Sequence, residues 1–312
     1  MQLAAPRARA VIADPMRLET QHTGRTRVRD LEGGAPLPIS MKYALIAGNG
    51  RFPLLVLEAA RGAGREMVVV AVKEEAGPEM ENLSASLGTR CHWISVGELG
   101  RLIEILKAER ATHAVMAGQI QHAKIFSSIR PDWRLMKLLL SLKTKNTDAL
   151  LGAVAGVLAE EGIEVVHSTA FLQPLLAPEG PVTPRNLDER EMADIEYGHR
   201  IARALAAFDI GQSVVICDRA CVAVEAMEGT DAVIRRAVQY SNGRPLTVVK
   251  VSKPNQDMRF DVPVIGPRTI AAMREANATA LAVDAGRTLL LDREELLRQA
   301  AEAQIAIAGF PP

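Results

Sequence analysis

The first strand and turn of the chain read Met41-Lys-Tyr-Ala-Leu-Ile-Ala-Gly-Asn-Gly-Arg-Phe-Pro53. The run 43–47 is apolar throughout, as in a buried strand of a parallel sheet. Gly48 and Gly50 follow at once, and Pro53 suits the first turn of a helix. A strand that passes through a glycine turn into a helix is typical of ligand-binding α/β sheets, because backbone N–H groups at a helix start attract anions.

Strand-like and helix-like segments alternate after this turn. Alternation of this kind predicts a parallel sheet with right-handed crossovers, and we place this first domain at residues 41–172. The predicted strands are 43–47, 66–72, 113–117 and 165–167, and the predicted helices are 54–62, 99–109, 133–142 and 147–161.

Prolines and glycines interrupt the pattern between residues 173 and 187, which is the composition of a linker. A helix at 188–208 and several strands follow, so we predict a second, mixed α/β domain at residues 188–312. The run Cys217-Asp-Arg-Ala220 indicates a β-hairpin within it. Residues 1–40 are rich in Arg, Pro, Gly and Thr without periodicity, and we expect a disordered N-terminal extension.

Composition narrows the class of protein. Apolar residues make up 48% of the chain and charged residues 24%, which predicts a globular protein. The formal net charge is zero, so no broad affinity for nucleic acid is expected. No apolar run is long enough to span a bilayer, and the three cysteines lack zinc-site spacing. We therefore expect free, buried thiols and a cytoplasmic protein that is able to touch a membrane surface.

The glycine turn is the first candidate ligand site, formed by Gly48, Asn49, Gly50 and Arg51. Pro53 stands where a dinucleotide fingerprint has its third glycine. A nicotinamide cofactor, another phosphate or sugar ligand, and a merely tight turn all stay open.

A second candidate follows the strand at 113–117. Gln119 and Gln121 could hydrogen-bond a sugar or uracil, and His122 and Lys124 could contact phosphate. The loop sits where open α/β sheets bind ligands, although a polar loop without a ligand has the same appearance.

The helix at 133–142 follows Asp132, a good N-cap residue, and its later charges are basic. The basic residues Arg134, Lys137 and Lys143 beside a wide apolar face suit an acyl-chain groove or an anionic lipid surface. An ordinary core helix with solvated basic side chains is the alternative.

An acidic cluster reads Glu225-Ala-Met-Glu228-Gly-Thr230-Asp231. Closely spaced oxygen ligands suit Mg²⁺, while Thr230 or Asp231 could equally cap the helix that follows.

The segment 250–266 carries the most specific pattern. If it is extended, Asp257, Arg259 and Asp261 face one side. Two carboxylates beside cations are usual in phosphoryl transfer, because one can hold a metal or orient water while cations neutralise phosphate. A solvated loop is the alternative. The candidate catalytic and metal-binding residues are Asp257 and Asp261. The candidate substrate-binding residues are Lys253, Gln256 and Arg259, together with Thr230 of the acidic cluster.

Three segments together resemble the UDP-2,3-diacylglucosamine pyrophosphatases of the LpxI type, namely 46–53, 214–231 and 253–266. The resemblance extends from Met41 to the C-terminus. It implies a Rossmann-like N-terminal domain, a lipid-holding cleft between two domains and a homodimer. The extension 1–40 has no counterpart in that family, and the hairpin tip has Arg and Ala where a glycine is expected.

The implied reaction splits UDP-2,3-diacylglucosamine into UMP and 2,3-diacylglucosamine 1-phosphate (lipid X), with Mg²⁺, in lipid A biosynthesis. The essential aspartate is implied to be Asp257 or Asp261. If a carboxylate of this loop holds Mg²⁺, we expect Glu228 or Asp231 of the acidic cluster as the further ligand. Peripheral contact with the inner face of an anionic membrane is expected.

Two other functions stay open. An NAD-type oxidoreductase needs an acidic residue after the second strand, where the sequence has Lys73-Glu-Glu75. A non-catalytic nucleotide-sugar or lipid-binding protein would use the same turns without hydrolysis.

Overall fold

Five apolar strands pair in parallel to form the first sheet of the computed structural model, which describes residues 41–119, 130–142 and 147–312. They are β1 (Tyr43–Ala47), β2 (Met67–Val72), β3 (Cys91–Ile94), β4 (His113–Ala117) and β5 (Glu164–Val166), in the order β3-β2-β1-β4-β5. The helices between them are α1 (Arg51–Gly62), α2 (Pro78–Ser86), α3 (Leu99–Ala108), α4 (Trp133–Ser141) and α5 (Thr147–Glu160). This order is that of a Rossmann-like half-sheet.

The second sheet is mixed and has six strands in the order β6-β13-β11-β9-β7-β8. Its strands are β6 (Gly180–Pro181), β7 (Ser213–Cys217), β8 (Ala220–Val224), β9 (Leu246–Lys250), β11 (Ala278–Asp284) and β13 (Ala306–Phe310), and β10 (Val264–Ile265) pairs separately with β12 (Leu289–Leu290). Its helices are α6 (Glu189–Ala207), α7 (Thr230–Ser241), α8 (Pro267–Glu275) and α9 (Arg293–Glu302). The predicted α/β fold with a parallel first sheet and a mixed second part is confirmed.

The segment 173–187 is bound to the second sheet along part of its length, although its composition predicts a linker. Gly180 and Pro181 form the edge strand β6, antiparallel to β13. The Thr183 hydroxyl accepts a hydrogen bond from Ile307 N (2.8 Å). The domain limits drawn at residues 172 and 188 stay predictions, and the predicted extension 1–40 lies outside the described residues.

The predicted hairpin is present, and its tip is built without glycine. Asp218 and Arg219 both adopt positive φ, at 49° and 58°, in the turn between β7 and β8. Such angles are costly for residues other than glycine. The buried Asp194 compensates by accepting a hydrogen bond from Arg219 N (2.6 Å), and Asp218 pairs with Arg244 (2.7 Å).

The cysteines follow the prediction only in part. All three are free thiols, but Cys217 alone is fully buried, while Cys91 and Cys221 are half-buried. The difference arises because Cys91 and Cys221 lie on strands at the outer edges of the two sheets.

The loop 253–262 leaves the second sheet and packs against the first. Phe260 contacts the hydrophobic core that α3, α4 and α5 build on the first sheet. The buried Ser168 hydroxyl lies within hydrogen-bonding reach of the Met116 carbonyl oxygen at the end of β4 and of the Arg259 carbonyl oxygen (2.7 Å). These contacts fix the loop at the carboxyl edge of the first sheet.

Helix α6 packs closely on the second sheet at Gly198. A Cβ atom placed there would lie 2.8 Å from Val249 Cγ2 and 2.9 Å from Ile216 Cγ1. Both contacts are shorter than normal packing distances, so a larger residue would push the helix away from the sheet.

We therefore expect Gly198→Ala to destabilise the protein by about 1–3 kcal/mol, the usual cost of overpacking. The matched control is Gly156→Ala in the exposed part of α5, where an added Cβ meets nothing within 4 Å. That change should stabilise the helix by about 0.5–1 kcal/mol, because alanine loses less backbone entropy. Urea unfolding of both variants decides the point, and a neutral Gly198→Ala would contradict it.

Candidate functional site

A cleft of about 1160 Å³ opens between the carboxyl edges of the two sheets. The turns after β1 and β4 meet at its rim, where the strand order of the first sheet reverses. Asn49 N donates to Gln119 O (2.9 Å), and Gln119 N donates to Asn49 O (3.2 Å). Gly118 has φ +92°, and an added Cβ would lie 2.6 Å from Asn49 O, so this position requires glycine. Open α/β sheets bind ligands at this switch point.

Ten of the predicted site residues line this cleft. They are Gly48, Asn49, Gly50, Arg51, Gln119, Glu228, Thr230, Asp231, Lys253 and Asp261. Gln121, His122 and Lys124 lie outside the described residues. The remaining three predicted residues, Gln256, Asp257 and Arg259, are described and do not line the cleft.

Three helices begin at the cleft with glycine N-caps. Gly50, Gly229 and Gly266 precede α1, α7 and α8, and none of these helix starts has a side-chain cap. All three glycines line the cleft. Helix starts leave N–H groups without intrahelical partners and carry partial positive charge. The cleft is therefore suited to an anion such as phosphate.

Lys253 lies among three carboxylates from distant parts of the chain. Its Nζ is 2.7 Å from Asp209 Oδ1, 3.0 Å from Asp148 Oδ2 and 3.4 Å from Asp261 Oδ2. Burial opposes the charge, but hydrogen bonds to Asp209 and Asp148 and the charge of Asp261 raise the pKa of Lys253 above its ordinary value. The ammonium is thus already neutralised by protein carboxylates.

Asp261 is the loop carboxylate that faces the cleft. Burial raises the pKa of Asp261, and the neighbouring charges of Asp148 and Asp209 raise it further, while Lys253 opposes them. A carboxylate that is held ionised at a cost is a better base than an ordinary one. The geometry therefore favours Asp261 as the acid–base group of this site.

Asp257 points elsewhere because the loop is not extended. The chain turns at 258–260, and Asp261 N donates to Asp257 O (3.0 Å). Asp257 forms a two-pronged ion pair with Arg259, at 2.9 Å from Nε and 2.6 Å from Nη2. The guanidinium lowers the pKa of Asp257. The prediction that Asp257, Arg259 and Asp261 face one side is wrong, because it assumed an extended backbone.

Gln256 connects the two ends of the loop and does not line the cleft. Its Oε1 accepts from Lys253 N (2.6 Å), and its Nε2 donates to Asp261 O (2.9 Å). The side chain thus ties together the two residues whose charged groups meet in the cleft. Its role in substrate binding stays a prediction, while its hydrogen bonds give it a role in loop geometry.

The acidic cluster is already paired. Glu228 accepts from Arg236 Nη2 (2.6 Å), and Asp231 accepts from Thr269 Oγ1 (2.9 Å). Asp231 lies in the first turn of α7, where an acidic side chain favours the helix dipole. The cluster therefore organises α7 and α8 at the edge of the cleft.

The predicted magnesium ligands do not assemble into a metal site. Within residues 41–119, 130–142 and 147–312, no three His, Cys, Asp or Glu side chains are placed to hold a metal ion together. Asp257 and Glu228 are paired with arginines, and Asp261 is beside Lys253. These carboxylates, as arranged, do not fit a preformed Mg²⁺ cage.

Lys250 is a cleft residue that the sequence did not single out. It ends β9, is 8% exposed, and its Nζ donates to Thr230 Oγ1 (2.6 Å). Thr230 in turn donates to Glu225 Oε1 (2.9 Å) and lies 3.1 Å from the Ser213 hydroxyl. A lysine in a buried strand with alternating apolar neighbours has no local sequence signal.

Asp148, Asp209 and Asp292 were also missed. Asp148 and Asp209 reach Lys253, and Asp292 pairs with Arg51 Nε (3.2 Å) across the cleft. Asp148 and Asp292 lie at helix starts, where an acidic residue normally indicates capping, and Asp209 is an isolated carboxylate after the end of α6. Only the tertiary fold brings them to the site.

One wall of the cleft is apolar. Helices α4 and α5 supply most of it, and Phe260 from the loop completes it. The apolar lining residues of the two helices are Leu135, Leu139, Leu150, Leu151 and Val154. The cleft therefore combines an anion-suited edge with a surface for hydrocarbon.

Two family models together match most of the chain. Residues 42–175 match the family model of the LpxI N-terminal domain, and residues 178–308 match that of the LpxI C-terminal domain. The UDP-2,3-diacylglucosamine pyrophosphatase LpxI of Caulobacter vibrioides is 32% identical over 281 residues, which cover 87% of this chain and 98% of that protein.

A solved nucleoside-diphosphate-sugar epimerase from Pseudomonas aeruginosa is 12% identical, with a TM-score of 0.31. The match covers 80% of this chain and 72% of the epimerase chain. A likeness this weak supports no conclusion about fold or activity.

Replacement of Asp261 and of Asp257 by asparagine should change the stability of the protein in opposite directions. The raised pKa of Asp261 means that its ionised form costs stability above the folded-state pKa and costs nothing below the unfolded value, about 3.9. Asp261→Asn should therefore raise the midpoint of urea unfolding at neutral pH, since Lys253 keeps Asp148 and Asp209, and this gain should vanish near pH 4.

Asp257 has a lowered pKa, so its contribution is present above the unfolded value and is lost as pH falls through the folded value. Asp257→Asn should lower the unfolding midpoint at neutral pH. Equal shifts of the same sign in the two variants would contradict the assignment.

Proposed function

Because this chain belongs to the LpxI family, we propose that it hydrolyses the pyrophosphate bond of UDP-2,3-diacylglucosamine to UMP and 2,3-diacylglucosamine 1-phosphate. The observation that carries the proposal is the cleft itself, which has three uncapped helix starts beside an apolar wall. A nucleotide-linked glycolipid has the same two parts, an anionic pyrophosphate and hydrocarbon chains. The reaction would be a step of lipid A biosynthesis.

In the proposed reaction, a water oxygen bonds to one phosphorus while the bridging P–O bond to that phosphorus breaks. Asp261 accepts the proton of the attacking water, for which its raised pKa is favourable. The departing phosphate keeps the bonding electron pair, and its charge is stabilised by N–H groups at the helix starts. Positioning and electrostatics of this kind are the main contributions of proteins to phosphoryl transfer.

The turns of the first sheet would bind the nucleotide side of the substrate. Gly48, Asn49 and Gly50 present backbone groups at the start of α1, and the Gln119 turn lies beside them. Arg51 is held by Asp292 and Glu58, so its guanidinium is fixed at the rim. The acyl chains would lie along α4 and α5.

Dependence on Mg²⁺ stays a prediction. Mg²⁺ often binds through one or two carboxylates together with substrate phosphates, and it neutralises phosphate charge when bound. Asp231 and Asp261 are carboxylates of the cleft that could serve in that way. Assays of UMP release with EDTA and with added MgCl₂ test this dependence.

The oxidoreductase alternative gains no support from the site. Its ribose-binding acid would follow β2, where Glu74 accepts a hydrogen bond from Val96 N (3.2 Å). Neither Glu74 nor Glu75 lines the cleft. A non-catalytic binding protein differs from the enzyme only in turnover, which the next experiment measures.

The wild-type protein should release UMP from UDP-2,3-diacylglucosamine. Asp261→Asn should lose most turnover, about 100-fold or more for an acid–base group, while still binding substrate. Asp257→Asn is the matched control from the same loop and should keep substantial activity at a temperature where it is folded. Mass spectrometry should find substrate lipid bound to the purified Asp261 variant.

The absence of UMP release by the wild type would remove the hydrolase proposal and leave lipid binding. If Asp261→Asn keeps full activity and Asp257→Asn loses it, the assignment of Asp261 is wrong and the reaction takes place on the Asp257 side of the loop.

We infer that α4 rests on an anionic membrane surface. Its Trp133 and Leu140 side chains are 78% and 82% exposed, while Leu135 and Leu139 on the other side line the cleft. Exposed Trp and Leu beside basic residues such as Lys137 are typical of interfacial helices. The helix would thus stand between the bilayer and the cleft that takes the lipid.

In the described part of the chain, every helix is too short or too polar to cross a membrane. Lys143, the third basic residue predicted to contact lipid, lies outside the described residues. The homodimer implied by the resemblance stays a prediction that sedimentation equilibrium would test.

Vesicles of anionic lipid should bind the wild-type protein. A double variant that carries both Trp133→Ser and Leu140→Ser should lose most of that binding. Tyr240→Ser is the control, since Tyr240 is also exposed (55%) but lies on α7 and not on α4. Arg134→Gln with Lys137→Gln should weaken binding by about 1 kcal/mol per charge or less, because Arg134 is paired with Glu161. If all variants sediment with the vesicles to the same extent, α4 is an ordinary surface helix and the proposed membrane contact is wrong.

A further inference from the structure

Lys250 is a buried cation at the base of the cleft with no protein counter-ion in contact. It is 8% exposed, and within the described residues its only hydrogen-bond partner is the Thr230 hydroxyl. No described carboxylate lies within ion-pairing distance of its ammonium. Lys253, three residues further along the chain, has three carboxylate partners instead.

A buried ammonium without a paired anion is costly. Glu225, Asp231 and Asp261 lower that cost from a distance, yet burial still lowers the pKa of Lys250. An anionic ligand that pairs with the Lys250 ammonium would offset this cost. Lys250 lines the cleft together with residues at the start of α7.

We propose that Lys250 is a catalytic residue that binds the pyrophosphate of the substrate, an inference that rests on the proposed function. The ammonium carries three N–H donors, and Thr230 accepts one, so two remain for phosphate oxygens. Thr230 is also the first residue of α7, whose N–H groups face the same space. A side-chain cation and a helix start thus converge on one anion.

Thr230 and Glu225 position this lysine. The Thr230 hydroxyl donates to Glu225 Oε1 (2.9 Å), which leaves its oxygen lone pairs to accept from Lys250 Nζ. Glu225 is itself buried and also accepts from Gln212 N (3.2 Å). The hydrogen bonds therefore fix the direction of the ammonium before any ligand arrives.

In the reaction, the lysine stays protonated. Water adds to one phosphorus and gives its proton to Asp261, and the breaking P–O bond leaves its electron pair on the departing oxygen. The Lys250 ammonium donates hydrogen bonds to the phosphate as this negative charge grows. A donor already in place needs no reorganisation at that moment, which favours the transition state over the bound substrate.

The first test measures anion binding without turnover. Isothermal titration of inorganic pyrophosphate should show at least a tenfold weaker affinity in Lys250→Met than in the wild type. Lys42→Met is the matched control, because Lys42 precedes β1, is partly exposed and does not line the cleft. Circular dichroism and thermal unfolding of each variant show whether it is folded.

The second test measures the pH dependence of kcat/KM for UMP release. Loss of the Lys250 proton as pH rises should produce an alkaline fall in the wild type, and the lowered pKa places that fall below the range of an ordinary lysine. Lys250→Arg keeps its charge at high pH, so the alkaline fall should move upward. Thr230→Val keeps the lysine but removes its partner and should lower kcat more than it changes KM.

The outcomes separate the two proposals. If the wild type releases no UMP, the proposed hydrolysis fails, and pyrophosphate titration still decides the role of Lys250. If the wild type is active and folded Lys250→Met matches it in both pyrophosphate affinity and kcat/KM, the role of Lys250 is overturned. An unchanged alkaline limb in an active Lys250→Arg variant would likewise contradict it.

Discussion

The ammonium group of Lys253 joins three parts of the chain that are far apart in sequence. Asp148 belongs to the start of α5, Asp209 follows α6, and Asp261 ends the loop of the second sheet. One positive charge faces three carboxylates, so the group keeps an excess of negative charge if all are ionised. Asp261 is the least exposed of the three carboxylates; burial raises its pKa first, and the charges of Asp148 and Asp209 raise it further against the lowering effect of Lys253. The reactivity assigned to Asp261 therefore depends on the geometry around Lys253.

That geometry depends on the path of one loop. Gln256 ties Lys253 to Asp261, and Phe260 is packed in the core of the first sheet. The Asp257–Arg259 pair lies on the other side of the same turn. Because the loop turns between residues 257 and 261, one aspartate enters the cleft and the other stabilises the loop. Two similar side chains four residues apart thus acquire opposite electrostatic environments.

Lys250 and Lys253 also lie in different electrostatic environments. Lys253 is neutralised by carboxylates and organises the protein, while Lys250 has a hydroxyl partner and is open to an anion. The helix starts at Gly50, Gly229 and Gly266 add partial positive charge around the same space. The groups suited to an anion are therefore local, at Lys250 and at the helix starts, because the carboxylates that line the cleft outnumber its cationic side chains.

Sequence alone predicts those parts of the fold that depend on local pattern. The strands Tyr43–Ala47 and His113–Ala117 have the predicted bounds, because each is an apolar run ended by a glycine turn. Helix α2 and strand β13 were not predicted, since α2 has few apolar positions and β13 contains Gly309.

The charged partners of the site could not be predicted in this way. Asp148 and Lys253 are 105 residues apart, and nothing local to either one indicates the other. The aspartates of the loop were placed on one face because alternation was taken to mean extension, whereas Pro254 and the turn at 258–260 bend the chain. Lys250 was overlooked because its neighbours in β9 are those of an ordinary buried strand.

A crystal structure of the Asp261→Asn variant with bound UDP-2,3-diacylglucosamine tests the account most directly. The account predicts the pyrophosphate between the starts of α1 and α7, with a phosphate oxygen within hydrogen-bonding distance of Lys250 Nζ and an acyl chain along α4 and α5. A pyrophosphate bound beside Asp257 and Arg259, or outside the cleft, would contradict it.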